Sequence, residues 1–186
     1  LVTASVGSAI AAKNNVTAAF TNGISDAIGN LASSGSITSG LTNIKNDDSN
    51  VPITISDADN TAMTAADLSA IGSATSGTVT VTNETAISGS NTELTAALVT
   101  AGSKVEVSDA DVTINDADNV AIAATVLSDI GSETTGTVTV TNAIEVTGSN
   151  TQVTAALVTA GSKVEVTDAA VTLDDADNVA IAATVL

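Results

Sequence analysis

The chain repeats itself, and the period limits what it can fold into. Asp57, Asp116 and Asp175 open nearly the same text and stand 59 residues apart. The first copy reads SDADNTAMTAADLSAIGSATSGTVTVTN from Ser56 and the second NDADNVAIAATVLSDIGSETTGTVTVTN from Asn115; a third, DDADNVAIAATVL, runs from Asp174 to Leu186. A weaker copy lies inside each, because Asn60, Asn91, Asn119, Asn150 and Asn178 precede apolar stretches at alternating steps of 31 and 28. A unit recurring at this period cannot bury its apolar face alone and must stack on its neighbours. The expected fold class is an α/β repeat: an elongated solenoid of short strands and short helices, with a 59-residue repeat made of two unequal half-repeats.

Within each repeat the apolar period switches between two and 3.6. TVTVT from Thr78 and Thr137, KVEV from Lys104 and Lys163, and DVTI from Asp111 alternate β-branched with polar residues, which predicts short strands with valines on one face. Leu94, Ala97, Leu98 and Ala101, and again Val153, Ala156, Leu157 and Ala160, follow the i, i+3, i+4, i+7 pattern of a helix. The predicted helices run from an asparagine cap to a glycine: Asn91 to Gly102, Asn119 to Gly131 and Asn150 to Gly161. Polar tripeptides such as SDA from Ser108 and TNA from Thr141 separate paired strands. Strands stack about 4.8 Å apart and helices of small residues about 8–10 Å apart. Two strands per helix therefore keep both layers in step and predict a straight two-layer or three-sided stack.

Residues 1–50 depart from this text and are read as a divergent N-terminal cap or assembly region, with 51–186 as the tandem-repeat solenoid, truncated within its third repeat. Val16, Phe20, Ile24, Ala27, Ile28 and Leu31 have helical spacing, weakened by Gly23 and Gly29. SSGSITSG from Ser33 reads as a loop, and Asn46 to Pro52 as a joint before the regular array. A chain that starts at Leu1 and stops inside a repeat is expected to be a window on a longer polypeptide.

Composition narrows the partners. Phe20 is the only aromatic residue, so the core has to be thin and built from Val, Ile, Leu and Ala. A net charge of −17, with four lysines and neither arginine nor histidine, excludes the basic clusters that phosphate backbones or anionic lipid require. No apolar run reaches the roughly 18 residues of a membrane span, so no membrane insertion is expected. The absence of cysteine removes disulfides and thiolate metal sites, which is compatible with export.

The acidic tracts are the candidates for chemistry. Asp57 and Asp59, Asp109 and Asp111, Asp116 and Asp118, and Asp175 and Asp177 place carboxylates at alternate positions, as a calcium loop does. The central glycine and terminal glutamate of an EF-hand are missing, and Val120 fills what would be the fifth loop position. The competing reading is that Asp59, Asn60, Asp118 and Asn119 cap helices and form turns. Calcium is therefore the one cofactor considered. Without His, Cys, Tyr or Arg, an activated nucleophile has little to draw on, and repeated acids do not make one unique site, so no enzyme is expected. Lys104 and Lys163, each two residues before a glutamate, read as a solvated strand face; a lysine isopeptide has no supporting spacing.

Through VTVTN, SDADN and VTAALVTAG, residues 51–186 resemble the tandem-repeat regions of very large bacterial surface and extracellular proteins, including those of marine cyanobacteria and proteobacteria. The resemblance implies a stalk, surface layer or filament component exported from the cell; a phage appendage would show the same economy. Two functions are carried forward. One is a structural, non-catalytic extracellular repeat protein that forms a rod or fibre by self-assembly or within a longer parent chain. The other is a calcium-dependent adhesion or ligand-binding module for a surface polysaccharide or protein.

Overall fold

Alternating β-branched residues become strands, and five of the seven α-helices among the described residues start behind a Ser or Thr cap, the exceptions being those that follow Ala27 and Ala123. The computed structural model describes residues 1–13, 17–103 and 105–176. In chain order these are α1 (Ala4–Ala11), β1 (Ile24–Asp26), α2 (Ile28–Leu31), β2 (Ala32–Ser33), β3 (Ser36–Ile37), α3 (Ser39–Asp47), β4 (Ile53–Ile55), β5 (Ala62–Thr64), α4 (Ala65–Gly72), β6 (Val79–Val81) and β7 (Ala86–Gly89). Then follow α5 (Asn91–Leu94), which passes into a π-helical turn over Thr95–Val99, β8 (Asp111–Ile114), β9 (Ala121–Ala123), α6 (Ala124–Ser132), β10 (Val138–Val140), β11 (Ile144–Gly148), α7 (Asn150–Leu157), β12 (Val164–Val166) and β13 (Ala169–Leu173).

The result is a mixed α/β protein whose sheets are parallel apart from the β2–β3 hairpin. Three parallel ladders run β1-β4-β6, β5-β7-β8-β10-β12 and β9-β11-β13. β8 links successive repeats. Its Val112 lies beside Ile87 of β7 on one edge and Val138 of β10 on the other. β7 belongs to the first copy of the repeated text and β10 to the second, so β8 carries one ladder from one copy into the next.

The alternating valines point inward as expected: Val79 and Val81, and Val138 and Val140, are buried on either side of half-buried threonines. They meet Leu68, Ile71, Leu94, Leu98, Leu127 and Ile130 from the helices in one continuous core. Backbone segments about 31 residues apart touch directly. A Cβ on Gly72 would overlap the Ser103 carbonyl, and one on Gly131 the Ser162 carbonyl, so the same close approach recurs one repeat on.

Several local expectations are corrected. The amphipathic helix through Phe20 and Leu31 does not form; Thr21–Asn22 is a turn, β1 takes Ile24, and only Ile28–Leu31 is helical. Gly23 adopts φ +78 beneath Pro52, and the Ile24 N–H donates to the Pro52 carbonyl at 2.9 Å, so sheet pairing wins over helical periodicity. Val16 lies outside the described residues. The loop expected from Ser33 is instead a hairpin turning on Ser34 (φ 53) and Gly35 (φ 73), followed by the first residues of α3.

The array helices are also set differently. Their caps are Ser90 and Ser149, each in a reciprocal capping box with Glu93 or Gln152, while Asn91 and Asn150 are the first helical residues. The π-helical turn ends at Val99, short of Gly102, and α7 ends at Leu157, with Gly161 in a separate 3-10 turn over Ala160–Ser162; Ala101 and Ala160 are exposed. The stretch after Asn119 begins as a strand, β9, before α6 carries the chain through Gly131. Of the two KVEV segments, the second forms β12, whereas the first contributes a single bridge from Glu106 to Thr80; Lys104 lies outside the described residues.

Candidate functional site

The acidic tracts tie segments that lie far apart in the sequence. β4 ends at Ile55, and Asp57 just beyond it is half-buried, with Oδ2 accepting the N–H of Ile28 at 2.7 Å, the first residue of α2. One repeat later Asp116 Oδ2 accepts the N–H of Asn91, the first residue of α5, at 2.6 Å, while Oδ1 accepts from the Asn91 side chain at 2.8 Å. Asp175 does the same for Asn150 of α7 at 2.7 Å. The last two partners are 25 residues back along the chain. The serine caps satisfy the third N–H of their helices, and these carboxylates satisfy the first, where the helix dipole also favours a negative charge.

The same chemistry reaches into the first fifty residues. Asp26 accepts the N–H of Ala4, which opens α1, at 2.9 Å, and also those of Ala27 and the Asn30 amide. Burial alone would raise the Asp26 carboxyl; the Asn30 amide and the two backbone donors outweigh it and hold the group below its ordinary value. Asp47 and Asp48 accept from the N–H groups of Ala18 and Phe20 at 3.0 and 2.6 Å, tying the joint before the array to the segment that carries the aromatic ring.

The second acids of each tract behave differently from the first. Asp59 and Asp118 are exposed, and the Asp118 carboxylate accepts from the Ala143 N–H at 3.2 Å. Neither they nor Asn60 and Asn119 cap a helix. The asparagines adopt left-handed φ of 61 and 62 and turn the chain into β5 and β9, so the capping half of that reading is corrected and the turn half stands. Asp109 accepts from the Ser108 hydroxyl at 2.9 Å and Asp111 from the Thr137 N–H at 2.8 Å. Asp177 lies outside the described residues. Among the described residues, no three His, Cys, Asp or Glu side chains converge on a point that could hold a metal ion.

Two further sets of inter-turn residues carry no charge and drew no attention in the sequence. Thr75 and Thr134 are buried, and their hydroxyls donate to the Val51 and Ala110 carbonyls at 2.7 and 2.6 Å. The Asn83 and Asn142 side-chain amides donate to the Asp57 and Asp116 carbonyls. Each pair is one repeat apart, and that recurrence was the signal available. Lys163, in a left-handed conformation (φ 55), donates its ammonium to the Thr134 carbonyl at 2.8 Å.

Chemically, the row accepts hydrogen bonds from fixed backbone donors. Among the described residues, none that lines a groove over Ser49, Thr75, Ser76 and Gly102 is ionisable. Among the described residues, no helix is long and apolar enough to cross a membrane. Comparison with protein-family models, with curated proteins and with solved structures finds no match to this chain.

Proposed function

We propose that this chain is a non-catalytic structural segment of a cell-surface or extracellular array, an elongated solenoid in which 59-residue units stack into a rod or fibre. The observation that carries this reading is the row of Asp57, Asp116 and Asp175. Three equivalent carboxylates each hold the first N–H of a helix one turn back, so the contact joining one turn to the next is part of the repeated text. The paired glycines, threonines and asparagines support it in the same way. In this reading β8 shifts the array sideways by one face per repeat, a winding path in place of the straight stack expected from spacing alone. Placement at the surface follows from the resemblance to bacterial surface repeats.

The test is an insertion series in which one, two or three further copies of residues 56–114 are placed after residue 114. Each copy adds two strand levels, so scattering should show the longest dimension growing by about 10 Å per copy at constant cross-section. Growth in all directions, or beads on mobile linkers, would refute the array. The same proteins melted with calcium and with chelator test the adhesion reading, which requires a melting temperature raised by calcium.

A further inference from the structure

Side chains on the outer face of the longest ladder form a column. Met63, Ile87, Val112, Val138 and Val164 line up across β5, β7, β8, β10 and β12 and are buried, so the next residue of each strand faces outward. Those residues are Thr64, Ser88, Thr113, Thr139 and Glu165, spaced by about 4.8 Å. Hydroxyls therefore precede the first charge. The Thr64 hydroxyl donates to Asp67, whereas those of Ser88, Thr113 and Thr139 have no hydrogen-bond partner among the described residues. The charges beside the column are engaged: Asp111 accepts the Thr137 N–H, and Lys163 donates to the Thr134 carbonyl.

At its β5 end the column enters a cleft of about 520 Å³ lined by Ser34, Thr64, Asp67, Ser88, Glu93 and Asn115. Its two carboxylates are held in place. Asp67 accepts the Gly35 N–H at 2.7 Å and the Thr64 hydroxyl at 2.8 Å, and Glu93 Oε2 accepts from the Ser90 N–H and hydroxyl at 2.9 and 3.0 Å. The second copy does not repeat this arrangement. Ala123, Val126 and Gln152 stand in place of Thr64, Asp67 and Glu93, and the Thr172 hydroxyl on its ladder is taken by Glu145.

We infer that this cleft and column bind an extended, neutral, β-linked polysaccharide. A protein hydroxyl both donates and accepts, as a sugar hydroxyl does, and a rigid row of them without charge selects against polyions. An extended β-linked glycan advances by close to one strand spacing per ring, so successive rings meet successive hydroxyls. The fixed carboxylates and the Asn115 amide meet the neighbouring hydroxyls of the ring seated in the cleft. Phe20, the one aromatic residue, is buried and does not line the cleft, so hydrogen bonds and not ring stacking carry the selection. This site goes beyond the array reading and does not depend on it.

The experiment titrates the full, isotope-labelled chain with cellohexaose and follows amide shifts by NMR. Shifts are expected at Ser88, Thr113, Asn115 and Thr139, and not at Thr147 or Thr172 of the other ladder. The double variant Thr113→Val with Thr139→Val keeps the shape of both side chains and should weaken binding by about tenfold or more. Thr80→Val, on the β1-β4-β6 ladder, should leave it unchanged. Glu93→Gln retains the capping box, as Gln152 does in α7, and should also weaken binding. Unaltered amide exchange in β8 and β10 establishes that the variants fold. The site is overturned by an absence of shifts at the column up to the solubility limit of the sugar, or by undiminished binding to the double variant. Equal affinity for maltohexaose, whose α-linkages coil it, or for a charged galacturonate hexamer also overturns it. A failed insertion series alongside the expected shifts would remove the array and leave the site standing.

Discussion

Residues 56–114 and 115–173 are two copies of one text in unlike surroundings, and their differences separate what a residue is from where it sits. Val112 is covered and Val171 is not; Leu98 is fully buried, and Leu157, at the same place in the repeat, is half-buried. The residues match, so the difference lies in the neighbours each one has in the folded chain and not in the side chain itself. One inward position differs in kind. Thr85 is 1% exposed with a hydroxyl that has no partner, whereas its counterpart is Ile144, equally buried and apolar.

The comparison breaks most readily at the glycines. Gly72→Ala and Gly131→Ala each drive a Cβ into the carbonyl of the neighbouring turn, at Ser103 or Ser162. Each should cost about 3 kcal/mol or more despite a helix-propensity gain of about 1 kcal/mol, read by denaturant unfolding. Equal neutrality at both sites would mean that the turns do not touch there.

Next come the leucines. Leu98→Ala should cost about 2–5 kcal/mol, as fully buried truncations do, and Leu157→Ala about half as much because its site is partly open. Thr139→Ala, on the half-buried face of β10, serves as the reference at under about 0.5 kcal/mol. Indistinguishable losses at the two leucines would contradict that difference in neighbours.

Thr85→Val removes the unpartnered hydroxyl and makes the first copy resemble the second. A gain of about 1 kcal/mol is expected, measured as a higher melting midpoint, and a loss would show that the hydroxyl is satisfied in solution.

The smallest effect separates the first fifty residues from the array. The Asp26 carboxyl titrates below its ordinary value of 3.8 in the folded chain, so its contribution is complete above that value and is lost as the pH falls through the lowered one. Acid should therefore loosen α1 before the strands of the array, and Asp26→Asn should flatten that part of the pH profile. Amide exchange at Ala4, followed across the acid range in both proteins, checks the sign.

Much of the secondary structure was legible because it is locally encoded. The alternation in TVTVT and DVTI announces strands with buried valines, and the 59-residue period announces equivalent positions, since identical text in a stack meets near-identical surroundings. The carboxylates were legible as a group, but their work was not. Asp116 has its partner 25 residues back, and nothing in SDADN distinguishes an acid that meets the helix of another turn from one that caps its own. For the same reason Phe20 and Ile24 read as a helix: their spacing is helical, and only the sheet edge offered by Ile53 and the Pro52 carbonyl decides otherwise. The sequence by itself determined the unit, its period and the thin aliphatic core, all of which follow from residue type and spacing. Tertiary structure decided which strand pairs with which, that β8 takes β7 on one edge and β10 on the other, and that Asp116 meets the first N–H of α5. Those outcomes depend on hydrogen bonds and cover supplied from a full turn away, which local periodicity does not record.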